Sequence, residues 1–186
     1  MAWNRERAGV AAAPSVAIDW AVTAMAEAVG RLALARSWDL PRVAAAVGET
    51  VWWVTLVDAT LVRYHPGAYE KALASEAVNR RKAEETLAGL RHVRNQLGRS
   101  ADPAGFVQPA AEDDRTFWTW RPLPEPPLDA LTTRARQWEI SRYHAYQARL
   151  AGRDLARTFN RCADFLTRAA ALSELGGQFR LEARHD

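Results

Sequence analysis

Several things that would narrow the chemistry of this chain are scarce or missing. Among 186 residues there is one cysteine, Cys162, which excludes an internal disulfide and fits a reducing compartment. The four histidines, His65, His92, His144 and His185, are scattered, and no pair of potential ligands has the spacing of a known metal site. No metal and no cofactor is expected. No glycine-rich phosphate loop follows a strand-like run, so nucleotide-loop chemistry is not indicated. Apolar runs are interrupted by Asp19, Glu49 and Asp58 before they reach roughly 18 residues, and no signal-peptide pattern opens the chain. The expectation is a soluble cytoplasmic protein with no membrane segment. Lysine is nearly absent as well: 23 of the 25 basic residues are arginine, and only Lys71 and Lys82 are lysine.

What is present is arginine, tryptophan and helical periodicity. Arginine suits planar, bidentate recognition of carboxylate or phosphate. Net charge is only +3, but between Arg80 and Arg99 six basic residues (Arg80, Arg81, Lys82, Arg91, Arg94, Arg99) face only Glu84 and Glu85. Such a strip is either a solvated helix face or a surface that meets RNA.

The length fits one domain spanning residues 1–186, able to bury roughly 70% of its unfolded surface. Residues 1–14 have no sustained period and read as a loose arm. Ser15 caps a first helix with the stripe Ile18, Val22, Met25, Val29 and Leu32, running to about Ser37. Asp39 with Pro41 in the first turn starts a second, marked by Val43, Val47, Val51, Val54 and Leu61. Asp58 falls in that buried row, so it either pairs with a base from a neighbouring helix or faces a cleft.

After His65-Pro66-Gly67 a third helix is expected from about Ala68 to Leu97, about 45 Å long, with Gly98 in the left-handed closing position. Leu87, Leu90, Arg94 and Leu97 recur at helical intervals, which places Arg94 on or beside the core face. Residues 99–127 change character, with Glu112, Asp113 and Asp114, then Thr116-Phe117-Trp118-Thr119-Trp120, then four prolines by Pro127. This reads as an irregular insertion whose tryptophans either anchor a loop to the core or stack bases. Beyond it, Leu131, Ala135, Trp138, Tyr143, Tyr146 and Leu150 form a helical stripe that ends near Gly152. Asp154 then caps a last helix carrying Leu155, Phe159, Cys162, Leu166 and Ala169, with a frayed tail from Gly176. The fold class is all-α: an up-and-down bundle of about five helices.

An all-helical bundle with Arg94-Asn95 at the end of a long helix resembles the HEPN superfamily, helical domains of prokaryotic toxin, defence and RNA-processing ribonucleases. That family's signature is an arginine, four to six residues, then a histidine, often with a polar residue after the arginine. Arg94 and Asn95 match; Arg99, Ser100 and Ala101 stand where the histidine falls. The resemblance implies a homodimer in which two motifs face each other, Arg94 stabilising phosphate charge and a histidine moving the proton. Arg99 stays protonated and cannot replace that histidine. His92 points about 200° away from Arg94 on a helix, and reaches the site only across a dimer or after unwinding. A second literal match, Arg180 with His185, lies in the expected tail.

Three functions follow. The first is a HEPN-like protein of a bacterial defence or toxin–antitoxin system that lacks the catalytic histidine and binds RNA or a partner protein. Its anion site would comprise Arg94, Asn95, Arg91 and Arg99, with Arg80 and Arg81 extending the basic surface. The second is an active, metal-independent ribonuclease in which His92 or another histidine completes the site across a homodimer. The third is a helical interaction module unrelated to RNA.

Overall fold

The computed structural model describes residues 15–35, 39–75, 79–100, 102–112, 115–126 and 132–182. The expected loose arm at 1–14 and His185 lie outside them. Among the described residues six helices form a bundle: α1 (Ser15–Ala33), α2 (Leu40–Tyr64), α3 (Pro66–Ser75), α4 (Arg80–Ser100), α5 (Thr133–Arg149) and α6 (Leu155–Glu182). The all-α expectation holds, with one helix more than expected.

α2 is the axis. Asp39 caps it by accepting from the Arg42 N–H at 3.2 Å, and Pro41 sits in the first turn, as the sequence indicated. Its Val43, Val47, Val51, Val54 and Val57 are fully buried. Valine is a mediocre helix former, so burial against α1, α4 and α6 outweighs local propensity here. α2 is the one helix among the described residues that is long and apolar enough, by length and composition alone, to cross a membrane. Within the bundle its apolar face is covered by neighbouring helices, and its buried Asp58 is bonded on both oxygens.

The single helix expected over 68–97 is two helices, α3 and α4, on either side of residues 76–78, which lie outside the described residues. The two pack on different partners, α3 against α6 and α4 against α5, so one straight rod could not serve both. Gly98 does not close the helix: α4 continues to Ser100, and among the described glycines only Gly152 has a positive φ, of 72°.

The insertion is also more regular than expected. A 3-10 turn at Pro103–Phe106 leads into an antiparallel hairpin, β1 (Val107–Glu112) and β2 (Arg115–Trp120), with Val107 opposite Trp120 and Glu112 opposite Arg115. A two-stranded ribbon has only edges, so Pro109 costs no central ladder bond. The outer edge of β2 is taken by the turn between α5 and α6: Gly152 N–H donates to Trp120 O at 2.8 Å, and Trp120 N–H to Arg153 O at 3.0 Å. Trp120 is buried, 5.4 Å from the Phe159 ring. It therefore anchors the insertion, and is closed to base stacking.

α6 begins after Asp154, whose carboxylate accepts from the Arg157 N–H at 2.7 Å, and it runs to Glu182 rather than fraying from Gly176.

Candidate functional site

α4 and α5 are in close contact at Gly89, where an added Cβ would lie 3.1 Å from Tyr146 Cα and 3.2 Å from Tyr146 N. From that point towards the C-terminal end of α4 the two helices frame an open cleft of about 400 Å³. Asn95 and Arg99 come from α4; Arg134, Trp138, Glu139 and Arg142 come from α5. Arg134, Trp138 and Arg142 are spaced four residues apart and share one face of α5. Trp138 is 57% exposed, with the Arg142 guanidinium 5.8 Å from its ring centre. Of the expected helical stripe, Tyr146 and Leu150 are buried, whereas Trp138 stands in solvent between Arg134 and Arg142.

Glu139 lies beneath this row and is only 4% exposed. Its Oε1 accepts from Gln96 Nε2 at 2.9 Å, with His92 Nδ1 at 3.0 Å and Arg99 Nη1 at 3.8 Å. The His92 approach is close but not aligned as a hydrogen bond, and Nδ1 has no other partner. His92 is 1% exposed and sits 5.9 Å and 5.8 Å from the rings of Tyr143 and Tyr146. Burial pulls its pKa below the ordinary range, and Arg99 and Arg142 add to that effect while Glu139 opposes it. The imidazole is neutral at pH 7. Burial also lowers the Arg142 pKa, with Arg91 adding repulsion and Glu139 opposing, although a guanidinium keeps its proton throughout. Three guanidiniums and one carboxylate leave the cleft with a formal charge of +2.

The residues singled out from sequence separate into distinct environments. Asn95 and Arg99 line the cleft, and His92 lies behind Glu139, away from the lining. Arg94 faces α2, with its guanidinium 4.8 Å from the Trp52 ring centre. Arg91 answers the question posed by Asp58. Its Nε and Nη2 lie 2.6 Å and 2.5 Å from Oδ2, while Tyr69 donates its hydroxyl to Oδ1 at 2.9 Å. Arg80 holds Glu70 and Glu84, and Arg81 holds Glu85, so neither is an unpaired cation. Sequence reasoning missed Arg134, Glu139 and Arg142, and read Trp138 only as a member of the helical stripe. The four-residue recurrence of Arg134, Trp138 and Arg142 was the available signal.

Among the described residues no group of three His, Cys, Asp or Glu side chains is placed to hold a metal ion. Cys162 is buried and its thiol is pushed up to about 12, by burial first and by Asp58 second, which makes it a packing residue rather than a nucleophile. No family model, no curated protein and no solved structure matches the chain.

Proposed function

We propose that this protein binds RNA at the α4–α5 cleft and acts as a HEPN-like, non-cleaving component of a bacterial defence or toxin–antitoxin system. The observation that carries the binding is the exposed Trp138 set among Arg99, Arg134 and Arg142. Arginines that meet phosphates beside an aromatic face that stacks a base are the two parts a single-strand site needs. The family assignment is supported by Arg94-Asn95 in the last turns of a long helix within a helical bundle. In the ribonucleases it resembles, a histidine reaches the scissile phosphate. Here His92 is sealed behind Glu139, which favours binding over cleavage. A homodimer, implied by the same resemblance, would set two such clefts in one particle.

The test is anisotropy of a labelled 20-nucleotide single-stranded RNA at two salt concentrations, with wild type, Arg99→Glu, Arg134→Glu and Trp138→Ala. Binding should weaken with salt and with either charge reversal. Loss of the stacking face should cost roughly 1–3 kcal/mol, or about 5- to 150-fold in affinity. The same RNA incubated with protein in EDTA should stay intact. Cleavage abolished by His92→Ala would replace this reading with the metal-independent ribonuclease. No binding at any salt would leave the interaction module.

A further inference from the structure

A second basic surface forms where the chain turns from α5 into α6. Gly152, in its left-handed conformation, reverses the chain, and two hydrogen bonds to Trp120 fix the turn against β2. That turn presents Arg153, and the first turns of α6 present Arg157 and Arg161, one turn and about 6 Å of rise apart. Arg149 Nε, 2.5 Å from Glu85 Oε2, ties the end of α5 to the start of α4, one turn from Lys82. Five cations from three helices and a turn are thereby gathered on one face.

Arg153, Arg157 and Arg161 differ from the paired arginines of α1 and α4 and from Arg149. Arg31, Arg80 and Arg81 each hold a glutamate. Arg153, Arg157 and Arg161 are exposed and in no ion pair among the described residues. The nearby Glu85 is already divided between Arg81 and Arg149. Lys82 reports the result: its pKa is pulled below the ordinary range, by Arg161 above all, then by desolvation, then by Arg149, Arg153 and Arg157. Asp154 and Asp164 stand on the same turns, but neither forms an ion pair with Arg153, Arg157 or Arg161. Like charges held close without a paired counter-charge destabilise the free protein, a repulsion that a polyanion relieves.

We propose that Lys82, Arg149, Arg153, Arg157 and Arg161 form a second phosphate-binding track, which holds the backbone of the same nucleic-acid strand that enters the cleft. It deepens the RNA-binding reading and rests on it for the identity of the polymer. A nucleic acid is favoured over an anionic membrane because, among the described residues, the exposed large apolar side chains lie on α1, α2, α5 and the turn after α1, with none on this face. Basic faces that bind bilayers insert apolar side chains beside their charges. The track and the cleft occupy opposite ends of α4. From Lys82 to Arg99 is 17 residues, about 25 Å of helix, and a strand long enough to reach both gains effective concentration at the second contact.

The experiment is a salt titration of binding to a 30-nucleotide single-stranded RNA by the wild type, the triple variant Arg153→Ala, Arg157→Ala, Arg161→Ala, and the cleft variant Arg99→Glu, Arg134→Glu. Each neutralised phosphate contributes roughly 0.7 to the log–log salt slope, so the triple variant should be shallower by about 2. Its affinity at low salt should fall roughly ten- to a hundredfold, and thermal melting should confirm that it remains folded. Lys82→Gln with Arg161→Gln should independently reduce the slope by between about 1 and 1.5. A triple variant with wild-type slope and affinity overturns the track while the cleft reading stands. Loss in the triple variant but not in the cleft variant supports the track and overturns the cleft. No RNA binding by the wild type overturns both. Cosedimentation with phosphatidylserine vesicles that the triple variant loses, with RNA binding unchanged, would assign the face to a membrane instead.

Discussion

The α4–α5 contact at Gly89 sets the geometry of the cleft and gives a test in which two effects of opposite sign compete. Replacing a helical glycine by alanine reduces the freedom of the unfolded chain and stabilises an unobstructed helix by up to about 1 kcal/mol. Gly30 in α1 and Gly98 in α4 are unobstructed, with nothing within 4 Å of an added Cβ. At Gly89 the same methyl group would meet Leu150 Cδ1 at 2.8 Å and the Tyr146 backbone at 3.1 and 3.2 Å. Leu150 can rotate away, but Tyr146 cannot: its backbone is helical, and its hydroxyl donates to Arg121 O at 2.5 Å. Overpacking of this kind costs roughly 1–3 kcal/mol. Subtracting about 1 kcal/mol of propensity gain leaves Gly89→Ala between neutral and about 2 kcal/mol less stable than wild type, and Gly98→Ala stabilised by somewhat under 1 kcal/mol. For a chain of this size each 1 kcal/mol moves the melting temperature by roughly 2–4 °C. Urea unfolding of the two variants beside wild type reads the difference directly. If Gly89→Ala is as stable as Gly98→Ala, the helices are not in contact there, and the cleft they frame loses its basis.

Three further outcomes follow from buried groups. Because the folded pKa of His92 is depressed, its contribution is complete above the unfolded value near 6.5 and is lost as pH falls below it. Urea unfolding between pH 7.5 and 5 should show wild type losing more stability than His92→Gln; parallel losses would refute the sign. Asp58→Ala leaves the Tyr69 hydroxyl and the Arg91 guanidinium without their acceptor, and should cost about 3 kcal/mol, the low end for a buried pair because Arg91 is one-third exposed. A melting shift of less than about 2 °C would show that the triad is not formed. Cys162, with its thiol raised to about 12, contributes stability that is complete below the unfolded thiol range and declines as pH rises above about 9. It should resist a disulfide reagent at pH 8 until urea unfolds the protein, and stoichiometric reaction of the native state would contradict its burial.

Features set by local chemistry were legible in the sequence. The Asp39–Pro41 start of α2, the Asp154 cap of α6 and the turn at Gly152 each depend on a few adjacent residues. The need of Asp58 for a partner was equally plain, since a buried carboxylate cannot stand alone. Which base answered it was not, because Arg91 and Arg94 both lie on α4 and only the rotation of that helix against α2 selects between them. Arg91 reaches Asp58, and Arg94 is left over Trp52.

The cleft was hidden for a related reason. Periodicity shows that residues share a face, not what that face meets. Tyr146 and Trp138 stand in the same helical stripe, yet the first is packed against Trp120 and Phe106 while the second is left in solvent. Likewise the local charge count pointed to Arg80 and Arg81, which their own helix neutralises through Glu84 and Glu85. The sequence by itself determined that the chain is helical, where α2 and α6 begin, and that Asp58 needs a partner, because these follow from caps, periods and the cost of burying charge. Only the tertiary structure decided which arginines remain uncompensated and which tryptophan stays exposed. Those outcomes depend on how separate helices rotate and close on one another, and no short stretch of sequence encodes that.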